Sequence, residues 1–179
     1  MKVSYHGIGG FGNTLRWIGE RINGESVLDY GAGKRSLKRY VRGDYYPYDI
    51  KPFPTNGDRN YLVLPNKKFS ITVANHVIEH LSDKEEEKFF KYIEKHSKTV
   101  YIASPYPNFI TLSEFWNTEG HRRPVPPKVL ISKLERHGFK VTKLVYCSLF
   151  RNPVKILLCL LLGQKPFSEY VIKAEKASP

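Results

Sequence analysis

Apolar and polar positions along the chain switch between a two-residue and a 3.6-residue period, and the order of those switches predicts the architecture. Short β-rich runs alternate with helical stretches, as in an α/β domain built on a mostly parallel sheet. Thr14 to Ile22 places Leu15, Ile18 and Ile22 on one helical face, with Asn13 as N-cap and Asn23-Gly24 as the stop. Ser26 to Tyr30 reads as a buried strand broken by glycines, and Ser36 to Val41 carries Leu37, Tyr40 and Val41 at helical spacing. Asp44 to Ile50 is extended and tyrosine-rich, and Tyr61 to Leu64 is a short strand stopped by Pro65. Phe69 to Ala74 has the β-branched density of an interior strand.

From Asp83 to His96 acids precede lysines, as the helix dipole favours, and Phe89, Phe90 and Ile93 form an apolar face. Val100 to Ala103 is another buried strand, a long proline-bearing loop follows, and Pro127 to His137 reads as a helix stopped by Gly138. Lys140 to Tyr146 and Phe167 to Ala174 alternate as strands and flank the apolar run Val154 to Leu162, which predicts an antiparallel closing pair. The fold class is thus α/β, a single doubly wound, mostly parallel sheet with an antiparallel closing strand pair. A chain of 179 residues suits one domain.

Charge changes the picture on the side of partners. Lys and Arg outnumber Asp and Glu 29 to 17, a formal net charge of +12 that concentrates anionic partners such as nucleic acid, a phosphorylated substrate or an acidic membrane surface. The basic residues are dispersed, in Lys34-Arg35, Lys38-Arg39, Lys67-Lys68, Arg122-Arg123 and the C-terminal third, so no tract reads as a nucleic-acid arm. Cys147 and Cys159 form neither a metal-ligand cluster nor a disulfide scaffold, which fits a reducing cytoplasm. No apolar run reaches the roughly 20 residues that span a bilayer, and the N-terminus lacks a signal-peptide core, so a cytoplasmic protein is expected. The run Val154 to Leu162 reads as a buried helix, with a membrane-surface or dimer contact as the alternative. Few glutamines and one methionine among many charged residues point to a thermophilic source.

Two glycine-rich segments compete for a cofactor. In Asp29-Tyr30-Gly31-Ala32-Gly33 an acid ends a buried strand and the glycines let the backbone turn sharply and approach a ligand. Such a carboxylate can hold the ammonium of an amino-acid-like cofactor while the next helix aims its N-terminus at the pocket. Gly7-Ile8-Gly9-Gly10-Phe11-Gly12 is a literal dinucleotide fingerprint, and were Lys2 to His6 its strand, Asp29 would fall about 20 residues on, as an NAD(P)-dependent oxidoreductase requires. Met1 to His6 is short and half polar, a poor interior parallel strand, and the glycines of Gly7 to Gly12 are read instead as a mobile segment that folds over the cofactor.

Read in order, the motifs decide between these. Val27-Leu28-Asp29-Tyr30-Gly31-Ala32-Gly33 resembles the first motif of class I, Rossmann-like S-adenosylmethionine-dependent methyltransferases, and the resemblance extends over nearly the whole chain. Tyr46-Pro47-Tyr48-Asp49 resembles the end of that family's second strand, Gly57-Asp58-Arg59-Asn60 through Leu64-Pro65 its adenine-contacting segment, and Phe69 through Ile78-Glu79-His80-Leu81 its fourth strand and following turn. Leu134-Glu135-Arg136-His137-Gly138-Phe139-Lys140-Val141 resembles its last helix turning into the sixth strand. Arg35 stands where many members have a third glycine, and Ser70 where many have an aspartate.

The resemblance implies S-adenosyl-L-methionine as cofactor, with Asp29, Gly31 and Gly33 seating its methionine portion, Asp49 its ribose, Asp58 its adenine and Asn75 completing the site. Asn60 or Tyr61 is the alternative to Asp58, which lies farther than usual from Leu64-Pro65. It also implies methyl transfer to an oxygen or nitrogen acceptor, on an anionic substrate if the basic charge is used. On this reading residues 1–24 are an N-terminal segment and helix, 25–104 the cofactor-binding half, and 105–179 the substrate loop and closing hairpin. A binding module that kept the fold and lost the chemistry is the alternative from another class.

Histidines supply the remaining chemistry. His76-Val77-Ile78-Glu79-His80 formally matches an inverted zinc-protease pattern, in which a helix would set His76 and His80 on one face. It is also similar to the Glu-x-x-Glu-His plus later histidine with which some methyltransferases hold a divalent metal, with His76 replacing the first glutamate and Glu79, His80 and His121 completing the set. That donor set suits zinc or another transition metal. The favoured reading has no metal, with Glu79-His80 bracing the loop and His76, His80 and His121 as catalytic candidates that orient or deprotonate an acceptor. Ser104-Pro105-Tyr106-Pro107 is similar to the Asn/Asp-Pro-Pro-Tyr box of adenine-amino methyltransferases but follows the fifth strand, so Pro105 is expected to shape the substrate mouth. The loop from Tyr106 to Pro127, with Arg122 and Arg123, is expected to select the substrate.

Overall fold

The computed structural model describes residues 1–8, 13–23, 26–52 and 60–177. The chain opens with β1 (Lys2–Ile8) and α1 (Asn13–Gly19), followed by β2 (Ser26–Tyr30), β3 (Asp44–Tyr48) and β4 (Phe69–Asn75). Then come α2 (Asp83–His96), β5 (Ser97–Pro105), α3 (Phe109–Trp116), α4 (Pro127–Arg136), β6 (Phe139–Leu149), α5 (Pro153–Leu161) and β7 (Phe167–Lys176). The strands form a seven-stranded sheet in the order β1-β6-β7-β5-β4-β2-β3. Every neighbouring pair is parallel except the two that β7 makes with β5 and β6.

Period-two alternation feeds two cores. Val27, Tyr101, Val145 and Val171 face α1 with its Trp17 and Ile18, whereas Leu28, Ile102, Leu144 and Ile172 face Phe89, Phe90 and Ile93 of α2 and Leu130 and Leu134 of α4. Helix α2 starts where the sequence places it because Ser82 accepts from the Glu85 N–H and the Glu85 carboxylate accepts from the Ser82 N–H, a reciprocal capping box. Because the strands other than β7 run the same way, their carboxyl ends share one edge, and β7, running back, brings Glu169 to it. Ligands of open α/β sheets bind at this edge.

Several sequence expectations give way. Residues 36–41 form turns and one 3-10 turn, Lys38–Tyr40, since so short a segment cannot offset the cost of helix nucleation. The strand expected over Tyr61 to Leu64 is reduced to a single bridge between Tyr48 and Tyr61, with Leu62 and Val63 exposed. The first helix ends at Gly19, not Ile22, and Asn13 lies inside it. The long loop after β5 contains α3, whose capping box Asn108 and Thr111 supply. Helix α5, expected to be buried, is exposed along most of its length, with Cys159 its buried residue. Among the described residues no helix is long and apolar enough to cross a membrane.

The N-terminus is corrected most. Lys2–Ile8, read as a poor interior strand, is an edge strand parallel to β6. A dinucleotide fingerprint needs its acid on the neighbouring strand, yet β6, β7, β5 and β4 lie between β1 and β2. At ~4.8 Å per strand, that is about 24 Å. Gly9 to Gly12 lie outside the described residues.

Candidate functional site

The first glycine turn leaves β2 toward β3. The Gly31 and Ala32 N–H groups both donate to the Tyr48 carbonyl, at 2.8 and 2.9 Å. Gly31 has φ +76°, and a Cβ there would stand 2.4 Å from Val77 Cγ2, so only glycine lets this turn pack against the turn after β4. Gly33, at φ +48°, would point a Cβ into open space. Its N–H donates to Asp49 Oδ2 at 2.8 Å, and its carbonyl accepts from Asn60 Nδ2 at 2.9 Å. Arg35, which replaces the third glycine, adopts φ +59° and donates to Asn60 Oδ1 at 2.8 Å. Asn60 therefore braces the loop. Asp58 lies outside the described residues.

Asp29 is buried, and Tyr45 Oη donates to its Oδ2 at 2.5 Å. Burial pushes its pKa up; the Tyr45 hydrogen bond opposes this and the Asp49 charge adds to it, leaving a value of about 7. Asn75 ends β4 with its Oδ1 buried and without a hydrogen-bond partner among the described residues. This edge of the sheet thus holds a buried carboxylate, an orphaned amide oxygen and open space over Gly33.

Past β4 the chain does not continue as a helix. His76 sits in the left-handed region at φ +56°, and a 3-10 turn, Ile78–His80, follows. His76 and His80 therefore do not share a helical face, and the zinc-protease pattern is formal only. His76 is instead clamped by two buried carboxylates, Nδ1 3.3 Å from Glu79 Oε1 and Nε2 3.2 Å from Glu169 Oε1. Burial works against its charging, but the adjoining Glu169 and Glu79 carboxylates overrule it and push the pKa up to about 10. His76 is a cation at neutral pH and a poor base.

Glu79, His80 and His121 come together, with a ligand atom from each lying within 4.8 Å of the others. Nδ1 of His80 is 2.9 Å from the Gly120 carbonyl and Nδ1 of His121 is 3.1 Å from the Phe115 carbonyl. A carbonyl only accepts, so both rings carry a proton on Nδ1 and present Nε2 as the lone-pair nitrogen when neutral. Burial and the neighbouring His80 lower the His121 pKa, which keeps that ring neutral. Arg123, in the loop expected to select the substrate, is bound to the buried Glu86 of α2, which Lys133 of α4 also contacts.

Neither a protein-family model nor a curated protein matches the sequence. Solved structures do match. A SAM-dependent methyltransferase from Archaeoglobus fulgidus superposes with a TM-score of 0.69 at 22% identity, over 90% of each chain. The chain has the Rossmann-like methyltransferase fold. Magnesium protoporphyrin IX methyltransferase from Synechocystis PCC 6803, solved with bound SAH, matches with a TM-score of 0.62 at 14% identity, over 91% of this chain and 80% of that one. A Burkholderia thailandensis 1,6-didemethyltoxoflavin-N1-methyltransferase, solved with its substrate and S-adenosylhomocysteine, gives 0.66 at 13%, over 94% and 80%.

On the methyltransferase fold some site residues were not evident from sequence. Tyr45 points at Asp29, and Ser104 Oγ donates to Glu79 Oε2 at 3.1 Å. Glu169 accepts from Ser148 Oγ at 2.9 Å, and Ser148 in turn accepts from Asn13 Nδ2 at 3.1 Å. The one signal for Glu169 was an acid directly before the apolar stretch Tyr170-Val171-Ile172 of β7, since a buried acid needs a partner.

Proposed function

We propose that this chain is an S-adenosylmethionine-dependent methyltransferase that methylates an oxygen or nitrogen atom on an anionic acceptor. The observation that carries it is the buried Asp29 carboxylate that ends β2 two residues before the Gly31–Gly33 turn, at the carboxyl edge of a methyltransferase-fold sheet. Residues 25–104 would hold the cofactor and 105–179 shape the acceptor side. Asp29 would bind the ammonium, Gly31 and Gly33 admit the methionine portion, Asp49 accept from the ribose hydroxyls, Asp58 meet the adenine, and Asn75 Oδ1 take a polar partner. The bound cofactor supplies a methyl group activated on a sulfonium. The protein's work is to align the acceptor, exclude water and remove its proton. The Nε2 of His121 or His80 is the base on this reading.

Calorimetric titration with S-adenosylmethionine tests the assignment. Binding is expected, and Asp49→Ala should weaken it about 10- to 100-fold, the worth of charge-assisted hydrogen bonds of ~1.5–3 kcal/mol. Unchanged affinity would refute the ribose role, and binding of a nicotinamide nucleotide instead would overturn the function. Radiolabelled methyl transfer into fractionated extract separates an enzyme from a binding module.

The convergence of Glu79, His80 and His121 favours a second reading, a transition-metal site with both imidazoles anchored through Nδ1. On it, protein purified without chelator carries stoichiometric zinc or another transition metal by elemental analysis, and His121→Ala loses it. Metal-free protein leaves the pair as acceptor base.

A further inference from the structure

Helices α3 and α5 carry an apolar surface at the carboxyl edge of the sheet. Phe109 and Trp116 of α3 are 63% and 60% exposed, and Val154, Leu157, Leu160 and Leu161 of α5 are 62%, 56%, 59% and 73% exposed. The two helices are one unit, tied by the Phe109 N–H donating to Gln164 Oε1 at 2.7 Å and by Lys155 Nζ lying 3.4 Å from Glu114 Oε1. An apolar face of this size, with a tryptophan and a phenylalanine beside leucines, is costly to leave in water. Arg151 and Lys165 flank α5 along the chain and Lys155 lies on it, a basic rim neutralised, among the described residues, only where Lys155 pairs with Glu114, and the chain carries +12 overall.

Charge decides what covers it. A second copy would bring the same basic rim and another +12 against the first, whereas an anionic lipid surface offers the opposite sign. Helix α5 has nine residues, too short to span a bilayer and suited to lie in its interface. We propose that the α3–α5 surface docks the protein on an anionic lipid bilayer, its leucines and Trp116 entering the headgroup boundary and its basic rim meeting the headgroups. Since α3 follows β5 and α5 joins β6 to β7, the docked face adjoins the edge that bears Asn75, His76 and Glu169. The proposal concerns where the protein sits and does not depend on the chemistry at the site.

The test is co-sedimentation of the full chain with vesicles of mixed phosphatidylglycerol and phosphatidylcholine, and with vesicles of phosphatidylcholine alone. Binding is expected to the mixed vesicles only, and to weaken as salt rises from about 0.1 to 1 M and the Debye length falls from ~10 to ~3 Å. Leu157→Glu with Leu161→Glu should lower partitioning at least about tenfold, because two buried leucines become charges. Both side chains are exposed, so the melting temperature and cofactor titration of that variant should not change. No binding to anionic vesicles, equal binding to neutral ones, or binding untouched by the double substitution would overturn the proposal. So would a dimer in solution that the same substitution dissociates, which would make the face a self-interface.

Discussion

Asp29→Asn is expected to abolish cofactor binding while stabilising the ligand-free protein. Burial raises the Asp29 pKa from 3.8 to about 7, so the folded chain holds its proton more tightly than the unfolded chain does. The sign follows from linkage: the stability that Asp29 contributes is full below about pH 4, falls as pH rises between about 4 and 7, and stays lost above. Three pKa units correspond to ~4 kcal/mol. Asparagine keeps an acceptor for Tyr45 and never ionises. Less the ~1–3 kcal/mol of an unpaired amide N–H, the net gain at pH 8 is about 1–3 kcal/mol, a melting point a few degrees higher. A bound ammonium needs the ionised carboxylate. Wild-type affinity for S-adenosylmethionine should therefore fall by up to about tenfold per pH unit below 7 and level off above it. Calorimetry at pH 5 to 8, with melting curves of both proteins, reads both effects. Affinity flat across that range, or retained in Asp29→Asn, would show that this carboxylate does not face the cofactor.

The second large effect is at His76. His76→Ala leaves the Glu79 and Glu169 side chains, 0% and 6% exposed, buried without their shared cation. Removing one partner of a buried ion pair costs about 3–5 kcal/mol. Melting should drop by ~10 °C or more in a chain of this size. Adding Glu169→Gln to His76→Ala should recover part of the loss, because one of the stranded charges is gone, so the two changes are non-additive. Denaturant unfolding of the single and double variants at pH 7 measures the coupling. A His76→Ala protein within about 1 kcal/mol of wild type, or additive changes, would mean that the clamp contributes little.

Much of this was legible in the chain itself. β2 and α2 have the boundaries that local pattern and caps predict, since Val27 and Leu28 read as buried and Ser82 with Glu85 is a local capping device. The glycines at 31 and 33 were legible as a turn because backbone conformation there is a local requirement. Less legible were segments whose state depends on neighbours. Leu62 and Val63 look like strand yet find one bridge beside them, and the leucines of α5 look like core yet face outward.

By itself the sequence determined the alternation of strands and helices, the glycine turn and the acids at the ends of two strands, because each depends on residues a few positions apart. Only the tertiary structure decided that β1 lies at the far edge of the sheet, with four strands between it and β2, since strand order is set by long-range pairing. It also decided that His76 is an imidazolium held by a glutamate 93 positions away, while His80 and His121 meet across 41 positions. Burial and charge partners set a pKa, and both come from the fold.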